Sequence, residues 1–87
     1  MVRIWAKIVT DNKLQRDLIY EAIGSFDPSE LYLHVREICH KLDIPSPVVL
    51  KTHAKNYTEF NTCSFLTRDF VEYVDFEKLV LENAQEA

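Results

Sequence analysis

The chain has 87 residues, a single glycine and a formal net charge of −4. Average usage would supply roughly six glycines, and a loop that cradles phosphate needs several so that backbone can approach an anion without a Cβ in the way; P-loops and dinucleotide fingerprints are excluded. The ten bases are scattered along the chain, so the concentrated basic footprint that nucleic acid requires is missing.

Residues 2–9 alternate. Val2, Ile4, Ala6 and Ile8 share one side, and Arg3, Trp5, Lys7 and Val9 share the other. Period two with β-branched residues predicts a strand. Thr10-Asp11-Asn12-Lys13 is turn chemistry, and residues 14–22 alternate again, with Leu14, Leu18, Tyr20 and Ala22 in phase. The chain therefore opens with a β-hairpin. A two-residue loop places Lys7 opposite Arg16 and Ala6 opposite Asp17, which joins like charges and turns a carboxylate toward the apolar side. An odd loop centred on Asn12 sets Val2 opposite Ala22, Ile4 opposite Tyr20 and Ala6 opposite Leu18. On the other face it sets Arg3 against Glu21, Trp5 against Ile19 and Lys7 against Asp17. The odd register satisfies both faces. Lacking a glycine for the left-handed position, it requires a five-residue loop or Asn12 in that conformation.

Gly24 is a joint before the sharpest local signal, Phe26-Asp27-Pro28-Ser29-Glu30-Leu31. Asp27 suits an N-cap, Pro28 the first helical position and Glu30 the reciprocal place of a capping box, with Phe26 and Leu31 as a hydrophobic staple. The helix runs to about Leu42, burying Leu31, Val35, Ile38, Cys39 and Leu42. Pro45 and Pro47 stop it. Residues 47–52 read as a short buried strand. Residues 53–61 fit a short helix or an ordered loop, Ser64-Phe65-Leu66 a short strand, Thr67–Phe70 a helical turn, and Phe76–Ala84 a closing strand. With one glycine, the remaining tight turns fall to Asp11-Asn12, Asp43, Asn56, Asn61 and Asp75.

The elements predict a single α+β domain over residues 1–87, a hairpin followed by a helix and further strands (ββαββ), with an irregular or short-helical segment at about 53–75. A strand after the helix can lie parallel to the first through a right-handed crossover. This order resembles the β-grasp, or ubiquitin-like, fold. The ending Asn83-Ala84-Gln85-Glu86-Ala87 lacks the Gly-Gly tail of conjugated members, so their activity is not implied. The opening Arg3-Ile4-Trp5-Ala6-Lys7-Ile8 (R-x-W-A-K-I), with Asp11-Asn12-Lys13, resembles a family of short bacterial proteins. That family has no assigned activity, and the resemblance carries over no site residue.

Met1–Lys7 holds no run fit for a secretory signal, and no stretch approaches the 18 apolar residues of a membrane span. A cytoplasmic location is expected, with Cys39 and Cys63 as reduced thiols. His34, Cys39, His40, His53 and Cys63 lack metal-ligand spacing, and neither a metal nor another cofactor is expected. Cys63, read as lying in a loop, pairs with a histidine only in a thiol-dependent reading. Residues 69–87 carry six acids (Asp69, Glu72, Asp75, Glu77, Glu82, Glu86) against one base, Lys78. This is a solvated surface or a contact for a basic partner.

Six aromatics lie between Tyr57 and Phe76 and are expected to anchor that segment to the core. Trp5 stands beside Ile19 and Val9, framed by Lys7, Asp17, Arg3 and Glu21, either as an exposed contact patch or buried beneath residues 53–75. Three functions follow. The first is a non-catalytic interaction module whose partner is another protein or a second copy, with Trp5, Ile19, Val9, Lys7 and Asp17 as the contact; no small-molecule ligand is identifiable. The second is a thiol-dependent enzyme using Cys63 and a histidine. The third is a regulatory subunit docking its acidic end.

Overall fold

The computed structural model describes residues 1–84. Its elements are β1 (Val2–Thr10), β2 (Lys13–Ala22), α1 (Leu31–Leu42), α2 (Lys51–Phe60), β3 (Thr62–Leu66) and β4 (Lys78–Asn83). Short 3-10 turns occupy Pro28–Glu30 and Thr67–Asp69. The class is α+β. The four strands form one antiparallel sheet in the order β2-β1-β4-β3.

The hairpin register is the one that satisfies both faces, from Val2 opposite Ala22 to Lys7 opposite Asp17. The turn reaches it by another route. Asp11 and Asn12 form a two-residue loop with both φ angles positive, 54° and 62°, as a type I′ turn requires. Beyond it Val9 pairs with Leu14 and Ile8 with Arg16, so Gln15 is an extra residue in β2. This bulge shifts the ladder by one and restores the register that the charges demand.

α1 follows the 3-10 turn. Asp27 Oδ1 accepts from the Ser29 amide (3.0 Å) and hydroxyl (2.8 Å), and these bonds hold its carboxyl below the usual carboxylate range. Phe26 packs its ring on His34 and Tyr57. α1 buries Leu31, Val35, Ile38, Cys39 and Leu42, the expected stripe. It ends in a Schellman motif: Asp43 N–H donates to His40 C=O and Ile44 N–H to Cys39 C=O, with Asp43 left-handed at φ 58°. Asp43→Gly removes both the Cβ penalty of that conformation and a negative charge at a helix C-terminus. It is expected to stabilise the fold by about 0.5–1 kcal/mol, or about 2–8 °C in Tm, read by thermal denaturation. A lower Tm would assign the Asp43 side chain a stabilising role of its own.

Two expectations are corrected. Residues 47–50 form no strand; they run as an irregular strap into α2. Among the described residues one backbone bond ties the strap to the β3 side of the fold, Val48 N–H to Asp69 C=O at 2.8 Å. The chain then turns helical at Lys51, so the short-helical option for residues 53–61 is the one adopted. The parallel crossover is also absent, because β4 fills the place beside β1 and pairs with it antiparallel.

The core is one cluster. Val2, Ile4, Ala6 and Ile8 of β1 meet Leu79 and Leu81 of β4, Cys63 and Phe65 of β3, the α1 stripe, and Tyr57, Phe70 and Phe76. Both helices and the segment after β3 contribute to this inner side. Among the described residues the outer face of the sheet therefore stays uncovered, with Trp5 half-buried and Ile19 44% exposed.

Candidate interaction surface

The outer face is built from alternate residues of the four strands. One row runs Ile19, Trp5, Glu82 and Thr62; the next runs Asp17, Lys7, Val80 and Ser64. Val9 lies a row further on, opposite Leu14 and Lys78. The structure thus brings Trp5, Ile19, Val9, Lys7 and Asp17 together on one face. It adds Val80 and Glu82, which depend on the pairing of β1 with β4.

Trp5 is held in place. Its indole Nε1 donates to Asp17 Oδ2 at 2.9 Å across the diagonal of the hairpin. The Lys7 ammonium lies 4.1 Å from the ring centroid and 3.7 Å from Glu82 Oε1. Lys7 and Asp17 share a register position, yet each serves the indole: one over its face, the other on its N–H. The preorganised ring forfeits little side-chain freedom on contact with a partner, since most of that ordering is already complete. Arg3 and Glu21 approach at 3.9 Å, both well exposed, a pair that contributes little.

The groups of the thiol-dependent reading lie elsewhere. Cys63 sits within β3, not in a loop, and is buried; burial pushes its thiol up to about 12. Cys39 is also buried, its thiol pushed up to about 11 by the same cause. A nucleophilic thiolate needs the opposite shift. Both cysteines are free. His53 is committed to structure: Nδ1 accepts from the Leu50 N–H at 2.9 Å, Nε2 faces Asp69 Oδ2 at 3.6 Å, and the ring lies 4.3 Å from that of Phe65. His34 Nδ1 bonds the Tyr20 hydroxyl at 2.9 Å; desolvation lowers its pKa, opposed by Glu30. Among the described residues no group of three or more His, Cys, Asp or Glu is placed to hold a metal ion.

Four of the six aromatics between Tyr57 and Phe76 anchor the segment as expected: Tyr57, Phe65, Phe70 and Phe76 are buried. Phe60 and Tyr73 are exposed. Within the acidic stretch, Asp69 accepts from the Leu66 N–H and Glu82 faces Lys7, while Glu72, Asp75 and Glu77 are exposed. Glu86 lies outside the described residues.

A second surface feature lies on the helical side. A groove of about 570 Å³ separates Tyr32 of α1 from Ala54 and Thr58 of α2, with Val49 and Leu50 of the strap also in its lining. Among the described residues, no helix is long and apolar enough to cross a membrane. No family model matches the chain, and no curated protein or solved structure is significantly similar to it.

Proposed function

We propose that the protein is a non-catalytic, cytoplasmic interaction module that self-associates through the outer face of its sheet. One observation carries the reading. Among the described residues an entire sheet face is left without a covering layer, and its centre is a tryptophan already fixed by Asp17 and Lys7. Tryptophan is the residue type most enriched among those that dominate association energies. Around it lie Ile19, Val9 and Val80, then charges of both signs in Lys7, Lys78, Asp17 and Glu82. Two copies related by a two-fold axis can meet acid with base across such a face. The thiol-dependent alternative loses its support, because the two thiols are buried with raised pKa values and both ring nitrogens of His53 face structural partners.

Trp5→Glu tests the proposal. The side chain is on the solvent face, so the variant is expected to fold, its Tm lowered by about 4–8 °C because the new carboxylate stands opposite Glu82 and the bond to Asp17 is lost. Dimer dissociation measured by sedimentation equilibrium is expected to weaken by at least about 2 kcal/mol, about thirtyfold in Kd. A parent protein that remains monomeric at about 1 mM, an association of at most about 4 kcal/mol, overturns the reading, as does a variant that unfolds.

A further inference from the structure

The groove between α1 and α2 differs in character from the sheet face. On the sheet face Arg3, Lys7, Asp17, Glu21 and Glu82 pair with one another or with Trp5. In the groove, Lys51, Lys55 and Glu59 lie on α2 at successive i, i+4 positions, one stripe about 12 Å long, and all three line the groove and are exposed. None of them forms an ion pair among the described residues. Beside this stripe, Leu50 is 51% exposed and Tyr32 49%. They form an apolar floor with Val49 and Ala54. An apolar trough between two helices, with two unpaired lysines and then one glutamate along one wall, is the counterpart of an amphipathic helix whose polar flank is acidic beside Lys51 and Lys55. The trough is open to solvent rather than enclosed.

We propose that the α1–α2 groove docks an acidic amphipathic helix of a partner protein, its apolar side on Tyr32, Leu50 and Ala54 and its acids against Lys51 and Lys55. The proposal shares the interaction-module reading but uses the face opposite Trp5. Complementary charge sets the orientation and the choice of partner, and the apolar floor supplies most of the affinity.

The test uses fluorescein-labelled peptides of about 16 residues, long enough to form a helix, with leucines on one side and either glutamates or lysines flanking them. Anisotropy is expected to show the glutamate peptide binding at least about tenfold more tightly than the lysine peptide, with a preference that fades at high salt. The double variant Lys51→Glu, Lys55→Glu is expected to invert that order. Ala54→Arg fills the trough and is expected to abolish binding of both. Thr58→Arg, at an exposed lining position, repeats the test without touching a half-buried site. Trp5→Glu is expected to leave peptide binding unchanged. Equal binding of the two peptides, no binding up to about 1 mM, or a preference that survives charge reversal overturns the groove proposal. Loss of binding in Trp5→Glu alone also overturns it and moves the contact to the sheet face, leaving the interaction-module reading intact.

Discussion

Phe65→Ala is expected to remove about 3–5 kcal/mol of stability, the largest effect of any substitution considered. Phe65 is the fourth of the five residues of β3, directly opposite Leu79, with no solvent exposure. Its ring also packs against His53 of α2. It therefore joins an edge strand of five residues to the sheet on one side and to a helix on the other. Truncation opens a cavity where those elements meet, and neither the β4 backbone nor α2 can collapse into it without breaking other contacts. A domain of this length is stable by about 4–13 kcal/mol, from about 0.05–0.15 kcal/mol per residue. At the low end of that range the variant is marginal, and it is expected to lose β3 and α2 together. Phe65→Leu retains most of the volume and is expected to lose about 1–1.5 kcal/mol. Urea unfolding followed by far-UV circular dichroism measures both; an alanine variant within about 1 kcal/mol of the parent would show that β3 does not depend on this ring.

The parts of the fold that were legible in the sequence are those where one pattern constrains two faces at once. In the hairpin, Arg3, Lys7, Asp17 and Glu21 fix the register from outside, while Val2, Ile4, Ala6 and Leu18 fix it from inside. Side chains report only the sum of turn and bulge. A two-residue turn followed by an extra residue at Gln15 gives the same pairing as an odd loop, so register was readable and turn type was not. The glycine shortage was informative as well. Among the described residues the non-glycine positions with positive φ are Asp11, Asn12, Asp43 and Asn61, all among the Asp and Asn positions marked for turns. Asn56 instead lies inside α2, and Asp75 in a bend.

Val48-Val49-Leu50 was misread because a short apolar run bounded by turn residues looks the same in a buried strand and in a strap over the core. The information that separates them is long-range: β4 already occupies the edge of β1. The same reason limits the candidate surfaces. Trp5, Lys7, Val9, Asp17 and Ile19 share a face by virtue of the hairpin alone. Val80 and Glu82 join it only through the β1–β4 pairing, and the groove exists only because α1, the strap and α2 converge.

Replacing His53 by alanine is expected to be the second most damaging change, at about 2–4 kcal/mol. Several contributions are lost together. The Leu50 N–H at the start of α2 loses its acceptor, a capping bond that typically contributes about 0.5–2 kcal/mol. The ring leaves a gap against Phe65, and Asp69, mostly buried, loses the imidazole facing it while keeping the Leu66 N–H. The strap, α2 and the turn after β3 are held at this one point, so the losses reinforce one another. The bond from Leu50 makes Nδ1 an acceptor, which leaves the proton of the neutral ring on Nε2, directed at Asp69. His53→Asn places an amide oxygen close to the Nδ1 position. It is expected to recover about 1 kcal/mol over His53→Ala by restoring the cap alone, and the difference between the two variants in urea unfolding isolates that bond. Equal stabilities for the two would assign the loss to ring packing. A His53→Ala variant as stable as the parent would remove the structural role, and with it the argument that both ring nitrogens are occupied by the fold.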